Sequence, residues 1–278
     1  MPPVKIAIIG CGYVGQAIAK QWSAAGHQVT VTTTTPEKVS SLEAIAHQVK
    51  VLSGDQPEAL QELCEGQEVI LLAVGSKGRT EENYRRAYLK TAENLVQALA
   101  HNATVKQVIY TSSYAIVGNH HGAWVDEITP DKPPHVFAEI LLETEQTLKA
   151  IASEARQVCI LRLGGIYGEG REIKKIFQRA MGQVRPGDGS EYGNWIHLED
   201  IVVGIEFARA QHLSGLFNLV CDEPLPRRDL LERLAEKYQL PPVLWDVTLP
   251  SDRPLNVRVS NQKLKKLGFT CRHPSIEV

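Results

Sequence analysis

Six residues near the N-terminus have the types and spacing to hold a phosphate group. Residues 10–15 read Gly-Cys-Gly-Tyr-Val-Gly, a G-x-G-x-x-G pattern between an apolar run and a helical pattern. In that context the glycines permit a tight turn, close approach of a pyrophosphate, and close packing of helix on strand. The helix N-terminus then favours the negative charge. The motif predicts a dinucleotide-binding loop; the alternatives are a structural glycine-rich turn and the related loop of a methyl-donor nucleotide site.

The second strand bears on which dinucleotide binds. NAD-selective sites usually carry an acidic residue there, about 20 residues past the glycines. This chain has four threonines at 32–35, followed by Lys38. No carboxylate would repel a 2′-phosphate, and the hydroxyls of Thr33 and Thr34 and the Lys38 ammonium could bind one. The position favours NADP over NAD, although a β-branched strand end need have no role in selectivity.

Alternating strand and helix patterns surround these residues through the first half of the chain. The strand patterns cover residues 4–9, 28–33, 49–52, 69–74 and 107–112. The helical patterns cover residues 14–25, 37–46, 57–64 and 81–101. Strands separated by helices pair in parallel with right-handed crossovers. The pattern therefore predicts an α/β fold with a doubly wound parallel sheet of the Rossmann type.

The pattern becomes less regular after Ser113. A loop-like stretch at 118–134 precedes a helical pattern at 136–153 and a strand pattern at 158–163. Glycine-rich segments then alternate with short helices, without an internal repeat or a low-complexity linker. We expect a dinucleotide-binding domain at residues 1–165 and a small α+β substrate lobe at residues 166–278. Some strands and helices of the later part are expected to return to the first domain.

Composition excludes several classes of protein. The 278 residues are 43% hydrophobic and 22% charged, with a formal net charge of −2. No basic stripe indicates a nucleic-acid or membrane-surface partner, and no apolar run approaches the ~18 residues of a membrane span. The five cysteines are scattered and form no CxxC pair. This pattern predicts a cytoplasmic protein with no disulfide framework and no metal site. We expect its partner to be a small-molecule substrate.

Several different short motifs are distributed over nearly the whole chain, some of them at the ends of predicted strands. They are Gly54-Asp55, Leu72-Ala73, Tyr110 to Ser113, Val125-Asp126-Glu127 with Pro130, Leu161 to Gly168, and Ile196 to Asp200. In order and spacing the chain resembles the extended short-chain dehydrogenase/reductase superfamily, specifically its NAD-dependent epimerase/dehydratase group. It is also similar to the atypical members, which carry G-x-G-x-x-G in place of the more widely spaced glycine pattern.

The resemblance implies roles for residues around the predicted nucleotide. Asp55 would contact the adenine, while Ala73 and Gly75 would line the nucleotide. Together with the glycine loop and the second strand, these residues form the predicted site for NADP or NAD. That site consists of Gly10, Gly12, Tyr13, Val14, Gly15, Thr33, Thr34, Asp55, Ala73 and Gly75.

The same resemblance implies a substrate side of the site. Ser113 matches the serine or threonine that polarises a substrate carbonyl or hydroxyl. The predicted contacts to a nucleotide-sugar-like substrate are Tyr167, Arg171, Trp195 and His197. Loop structure with an exposed arginine accounts for Arg171 about as well, and His197 with Asp200 also fits a hydrogen-bonding pair at a helix start. A homodimer is a further implication of the resemblance.

The residue pair that performs hydride chemistry in this superfamily is absent. The enzymes use Tyr-x-x-x-Lys on the helix after the fifth strand, where the i, i+4 spacing puts both side chains on one face. The lysine charge favours the tyrosine phenolate. Alignment through Glu145 and Gln146 places Phe137 at the tyrosine position and Leu141 at the lysine position, and no tyrosine in the chain is followed by lysine four residues later. Gly165 stands where the sugar-nucleotide enzymes generally carry asparagine.

Two functions remain open. The first is an oxidoreductase or epimerase that acts on a nucleotide sugar or a small carbonyl or hydroxyl compound through Ser113, Tyr114 and His135. Histidine needs only a small pKa shift to work near neutral pH, and Glu139 lies one helical turn after His135. That pair is also explained, more simply, as a solvated helix-start interaction. The second function is a dinucleotide-binding sensor or scaffold without turnover, and the fold alone does not choose between them.

Overall fold

A computed structural model describes residues 2–278. The strands are β1 (Lys5–Ile9), β2 (Gln28–Thr33), β3 (Gln48–Val51), β4 (Val69–Leu72), β5 (Gln107–Ser113), β6 (Trp124–Val125), β7 (Gln157–Leu163), β8 (Gly165–Tyr167), β9 (Val184–Pro186), β10 (Tyr192–Gly193), β11 (Trp195–His197), β12 (Gly215–Leu219), β13 (Leu225–Pro226), β14 (Leu244–Asp246) and β15 (Arg258–Val259). The α-helices are α1 (Tyr13–Ala24), α2 (Val39–Glu43), α3 (Pro57–Cys64), α4 (Glu81–Tyr84), α5 (Thr91–Leu99), α6 (Val136–Lys149), α7 (Ile173–Phe177), α8 (Leu198–Ala210), α9 (Arg227–Tyr238) and α10 (Gln262–Lys266). Short 3-10 turns cover Pro36–Lys38 and Tyr114–Val117, and a π-helical segment covers Arg85–Lys90.

The chain divides into two compact units. The first contains the described residues up to Ser113, together with His135–Leu161 and Val202–Leu216. The second contains Tyr114–Pro134, Arg162–Ile201 and Phe217–Val278. Each unit therefore combines segments that are distant in the sequence, and the domain boundary after residue 165 remains a prediction.

A seven-stranded sheet carries the strand order β12-β7-β5-β4-β1-β2-β3. Strand β1 pairs in parallel with both β2 and β4, and β2–β3 and β4–β5 are also parallel. The order reverses direction at β1 and β4, which is the switch point where a crevice opens at the carboxyl ends of the strands. The predicted α/β fold with a doubly wound sheet is confirmed.

The apolar runs of the sequence form the central strands. Strand β4 is buried along its whole length, and β1 is buried from Ile6 to Ile9. Nearly continuous apolar residues suit strands that are covered on both faces. One core cluster packs these strands against α3 and α5 through side chains such as Leu60, Leu95 and Leu99. This rigid layer supports the loops that follow each strand.

The helical pattern at residues 81–101 is not one continuous α-helix. Helix α4 leads into the π-helical segment Arg85–Lys90, and α5 follows and ends at Leu99. A π turn closes i→i+5 hydrogen bonds and holds one residue more than an α turn. The Thr91 hydroxyl donates to the Arg86 carbonyl at 3.4 Å, five residues earlier. Apolar periodicity did not reveal this turn, because a single wide turn only shifts the phase of the residues on either side.

The second unit consists of short sheets and helices. Its two-stranded pairs are β6–β15, β8–β11, β9–β14 and β10–β13. A cluster around Leu230, Leu231 and Leu234 on α9 forms the core. The Arg162 guanidinium, only 1% exposed, donates to both carboxylate oxygens of Asp131 at 2.6 and 2.9 Å. Short strands and helices thus occur together in this unit, which also includes Tyr114–Pro134, and its identity with the predicted α+β substrate lobe at residues 166–278 stays a prediction.

Among residues 2–278, the helices are all too short or too polar to cross a lipid bilayer.

Candidate functional site

A cavity of about 710 Å³ opens in the first unit, where the carboxyl ends of β1, β2, β3 and β4 meet. This volume is within the range of small-molecule sites. Seven of the ten predicted cofactor contacts line it: Gly10, Gly12, Thr33, Thr34, Asp55, Ala73 and Gly75. The other three, Tyr13, Val14 and Gly15, form the first turn of α1. The structure thus brings seven of the ten predicted residues to one crevice at the sheet's switch point.

The three glycines of the loop meet different surroundings. Gly10 has a φ of +92°, and a Cβ there would lie 2.7 Å from the Val74 Cα. A Cβ on Gly15 would lie 2.4 Å from the Gly10 carbonyl oxygen. A Cβ on Gly12, by contrast, would have no heavy atom within 4 Å, and the same holds for Gly75, which follows β4. Gly10 and Gly15 are therefore needed for packing, whereas Gly12 and Gly75 face open space in the cavity.

The loop presents the start of α1 to the cavity. No side chain caps the helix at Gly12, and its first turn carries no acidic residue. A phosphate placed there would meet the positive end of the helix dipole. The loop is attached to β2 because the Gly10 amide donates to the Thr32 hydroxyl at 3.0 Å and the Cys11 amide donates to the Thr32 carbonyl at 2.9 Å. Thr32 is thus a positioning residue that the sequence pattern did not single out.

The thiol inside the glycine loop is not a reactive group. Cys11 is buried, and burial raises the pKa of its thiol to about 12. A thiol with such a pKa is protonated at neutral pH and is a weak nucleophile. The chemistry available in this loop is therefore that of its backbone amides.

The threonine end of β2 forms one wall of the cavity. The Thr33 hydroxyl accepts from the Thr35 amide at 3.1 Å, so part of its capacity serves a local turn. Thr34 and Lys38 are exposed at the cavity edge. Within the described chain, the residues that line this cavity include one carboxylate, Asp55, and the cations Lys38, Lys77 and Arg86. The wall therefore favours an anionic ligand.

Helix α5 fixes the segment that carries Asp55. The Asn94 side-chain amide donates to the Gly54 carbonyl at 2.9 Å, and a Cβ on Gly54 would overlap the Thr91 hydroxyl. Gly54 is thus needed for close packing on α5, which places Asp55 at the cavity. The Gly54-Asp55 motif indicated this segment, but its partners Thr91 and Asn94 were not found from the sequence.

The predicted catalytic residues are distributed over both units. Ser113 ends β5 in the first unit, and Tyr114 begins the next turn in the second unit. Tyr114 packs against a valine cluster that includes Val117 and Val125. His135 is the N-cap of α6, where its Nδ1 accepts from the Ala138 amide at 3.2 Å. This contact gives His135 a capping role, whereas the helix-start interaction considered above was a pair with Glu139. The catalytic role of His135 stays a prediction.

An aromatic cluster surrounds Phe137 on α6. Its ring centroid lies 4.7 Å from that of Tyr84 and 5.6 Å from that of His135. The Arg79 guanidinium lies 5.2 Å from the same ring. Tyr88, on the π-helical segment, lies 5.1 Å from Tyr84, and burial raises the pKa of its hydroxyl. Tyr84 and Tyr88 therefore approach the residue aligned with the missing tyrosine, and only their i, i+4 spacing could have suggested that they share a face.

Three of the four predicted substrate contacts lie on the β8–β11 pair of the second unit. The Tyr167 ring lies 5.0 Å from the His197 ring and 6.5 Å from the Trp195 ring. Tyr167 is 3% exposed and its hydroxyl donates to the Ser275 carbonyl at 3.3 Å, so it packs as a core residue. Arg171 lies apart in a turn closed by backbone bonds to Gly168. Contact of these residues with a substrate stays a prediction.

The packing of Trp195 explains the glycine at position 165. A Cβ on Gly165 would lie 2.8 Å from the Trp195 ring. An asparagine there would require the indole to move, since real Cβ atoms do not approach a neighbour so closely. The departure from the asparagine of the sugar-nucleotide enzymes is thus coupled to a tryptophan on the adjacent strand.

The second unit also contains an arginine cluster that the sequence reasoning missed. Arg185, Arg227 and Arg253 each have a buried Nε without a hydrogen-bond partner among the described residues. Burial lowers the pKa of Arg227, and the charges of Arg253 and Arg185 lower it further. Asp252 accepts from Arg227 at 3.3 Å. Buried guanidinium donors without partners indicate a place for an anion, and their wide spacing in the chain gave no signal.

Comparisons with known proteins cover nearly the whole chain. The NAD dependent epimerase/dehydratase family matches residues 6–219. Protein YeeZ of Escherichia coli (strain K12) is 29% identical over 282 residues, which cover 97% of this chain and 96% of YeeZ.

Two solved structures show the same fold. A functionally unknown conserved protein from Silicibacter pomeroyi DSS is 25% identical, with a TM-score of 0.79 over 98% of this chain and 95% of that one. UDP-glucuronic acid 4-epimerase from Bacillus cereus, solved with UDP-glucuronic acid and NAD, is 17% identical, with a TM-score of 0.75 over 95% of this chain and 92% of that one. These likenesses extend through both units.

Proposed function

Because the chain belongs to the NAD dependent epimerase/dehydratase family, we propose that it binds NADP or NAD in the cavity at the carboxyl ends of β1 to β4. The observation that carries this proposal is the glycine loop. Protein atoms occupy the space at the Cβ positions of Gly10 and Gly15. The Cβ positions of Gly12 and Gly75 are open, and Gly12 lies directly at the start of α1. That arrangement fits a pyrophosphate held by backbone amides at a helix N-terminus.

The remaining cavity residues suit the rest of a dinucleotide. Asp55 would contact the adenosine end, as the family resemblance implies. Thr34 and Lys38 would hold a 2′-phosphate. The absence of a carboxylate at the end of β2 supports NADP over NAD. A bound nicotinamide dinucleotide supplies hydride transfer. The residues of this chain bind it and orient it on the sheet.

For the substrate we propose a nucleotide sugar in preference to a small neutral carbonyl or hydroxyl compound. The buried, unpartnered Nε groups of Arg185, Arg227 and Arg253 support this choice. Guanidinium groups donate strong, charge-assisted hydrogen bonds to phosphate oxygens such as those of a diphosphate. The Bacillus cereus epimerase, whose fold is similar, was solved with UDP-glucuronic acid. The arginine cluster gives this choice a basis in the chain's own side chains.

We further propose that turnover is by an oxidoreductase or epimerase reaction that uses acid/base groups other than the usual pair. Ser113 would hold and polarise the reacting oxygen, and Tyr114 or His135 would move its proton. His135 uses Nδ1 as an acceptor at the helix start, so Nε2 is the atom that would exchange a proton. The alternative is a dinucleotide sensor or scaffold, favoured by the enclosure of Phe137 between aromatic rings and Arg79.

Binding and turnover are tested separately. Calorimetric titration with NADPH, NADH and S-adenosylmethionine tests the cofactor, and we expect NADPH to bind most tightly. Binding of S-adenosylmethionine without either nicotinamide dinucleotide would contradict the proposal. The complex with NADP⁺ or NAD⁺, which can accept a hydride, is then incubated with UDP-glucuronic acid and UDP-glucose, and the complex with NADPH or NADH is incubated with a panel of carbonyl compounds. Reduced-nicotinamide absorbance detects oxidoreduction and NMR detects epimerised sugar; tight cofactor binding with neither signal would support the sensor.

A further inference from the structure

Two imidazoles and a carboxylate converge in the second unit, and one of the imidazoles belongs to His197, a predicted substrate contact. The donor atoms of His197, Glu199 and His273 all lie within 4.8 Å of one another. His273 Nε2 is 3.2 Å from a Glu199 carboxylate oxygen. The ring centroids of His197 and His273 lie 3.7 Å apart, and the two ring planes are tilted by 39°. Residues 74 positions apart in the chain thus share one small space.

Buried hydrogen bonds hold this cluster together. The carboxylate of Asp200, which is fully buried, accepts from the Arg272 amide at 2.6 Å and from the His273 amide at 3.0 Å. The backbone of the C-terminal segment, residues 271–278, is thereby fixed beside the first turn of α8. Tyr167 adds a second attachment, since its hydroxyl accepts from the Glu277 amide at 3.3 Å. The backbone at His273 is thereby held in place without a bound ligand.

We propose that His197, Glu199 and His273 bind a divalent transition metal ion of the zinc type. Two imidazole nitrogens and one carboxylate oxygen suit Zn²⁺, whereas Mg²⁺ and Ca²⁺ prefer all-oxygen sets. Zinc ligands stand about 2.0–2.2 Å from the ion, so a tetrahedral site places neighbouring ligand atoms about 3.4 Å apart. The 3.2 Å between His273 Nε2 and the Glu199 oxygen is close to that spacing.

The neighbours of the two imidazoles support ligation. His273 Nδ1 lies 2.8 Å from a Glu277 carboxylate oxygen. In metal sites, the histidine nitrogen that does not bind the ion usually donates to such a carboxylate. His197 Nδ1 accepts a long 3.3 Å bond from the Glu199 amide, so it carries a lone pair. A metal ion would take that lone pair in place of a weak hydrogen bond. A water molecule completes the fourth position, because Glu199 is 59% exposed.

Such an ion would fasten the C-terminal segment to the start of α8. The site also gives His197 a role other than the predicted substrate contact. The scattered cysteines predicted no metal site, and that expectation did not consider histidines, whose ligand spacing is not local here. The proposal is independent of dinucleotide binding, because its residues belong to the second unit.

The test is metal titration of the full chain without a histidine tag. Zn²⁺ binding is measured by calorimetry, and Co²⁺ is added to follow the visible absorption of a tetrahedral site. We expect one ion per chain, a rise in Tm with Zn²⁺, and no comparable response to Mg²⁺. Absence of saturable Zn²⁺ binding would overturn the proposal.

Variants distinguish this site from incidental surface binding. His197→Gln, His273→Gln and Glu199→Gln should each abolish the Co²⁺ spectrum, and Glu277→Gln should weaken Zn²⁺ binding by about 10–100-fold. His101→Gln, which changes an exposed histidine of the first unit, is the matched control and should bind as the unchanged chain does. If His273→Gln and Glu199→Gln both keep full affinity while folded by circular dichroism, the ion is adventitious and the proposal fails.

Discussion

The glycine loop allows binding and folding to be perturbed separately. A valine at position 12 projects into open space, because no heavy atom lies within 4 Å of the Cβ position. An alanine at position 10 must adopt a φ of +92° and press on the Val74 backbone at 2.7 Å. An alanine at position 15 meets the Gly10 carbonyl oxygen at 2.4 Å. The substitution at position 12 should therefore weaken ligand binding, and the substitutions at positions 10 and 15 should destabilise the fold.

The expected magnitudes differ accordingly. Gly12→Val should lower the free energy of unfolding by only about 1 kcal/mol, because valine is a poorer N-cap residue than glycine. It blocks at least one hydrogen bond to a charged phosphate, of about 1.5–3 kcal/mol, which is roughly a 10–100-fold loss of affinity. Gly10→Ala combines about 1–2 kcal/mol of left-handed backbone strain with about 1–3 kcal/mol of overpacking. The sum of about 2–5 kcal/mol lowers Tm by roughly 4–20 °C.

NADPH titration and thermal denaturation of the same preparations provide the assay. Ala24→Val, an exposed β-branched substitution at the other end of α1, is the control and should change neither quantity appreciably. Unchanged NADPH affinity in Gly12→Val would refute the placement of the pyrophosphate over this loop. A fall in Tm for Gly12→Val as large as that for Gly10→Ala would refute the steric distinction itself.

Four further predictions concern single side chains. Thr34→Glu should weaken NADPH binding by more than about tenfold through like-charge repulsion and leave NADH affinity unchanged, as calorimetry would show. Arg227→Met should weaken UDP binding by about 10–100-fold without changing NADPH affinity, and equal UDP affinity would remove the support for a diphosphate site. Asp200→Ala leaves two amides of the C-terminal segment without their acceptor. It should lower the free energy of unfolding, measured by urea denaturation, by about 1–3 kcal/mol or more. His135→Ala should cost about 1 kcal/mol as a lost cap, whereas His135→Asn should keep the cap, so that lost turnover with unchanged Tm in the asparagine variant would indicate catalysis.

The features that sequence predicted well depend on local patterns. The first five strands and the glycine loop were predicted because strand burial and turn geometry are encoded by adjacent residues such as Ile6 to Ile9 and Gly10 to Gly15. The family was identified from short motifs in a fixed order, and the family match over residues 6–219 confirms it. Of the seven predicted residues at the cavity, Gly10 and Gly12 came from the glycine motif and Thr33 and Thr34 from the second strand. The family resemblance implied the other three, Asp55, Ala73 and Gly75.

The features that escaped prediction depend on contacts between distant residues. Arg185, Arg227 and Arg253 come together only when the second unit folds, and no spacing announces them. The capping role of His135 depends on one backbone amide, so its chemistry could not be separated from its structural role by residue type. Gly165 was noted only as a departure from the family, and its reason is the Trp195 ring on the next strand.

The π-helical segment Arg85–Lys90 makes this helix unusually sensitive to an insertion or deletion of one residue. An α-helix turns by about 100° per residue. Deleting one residue from the segment would restore a regular helix and leave the buried positions Leu95 and Leu99 in place. Asn83 and Tyr84 would then rotate by about 100° away from the cavity and from Phe137. The segment thus joins two helical registers, one set by packing in the core and the other by the residues at the site. The two registers differ by the one extra residue of the π-helical segment.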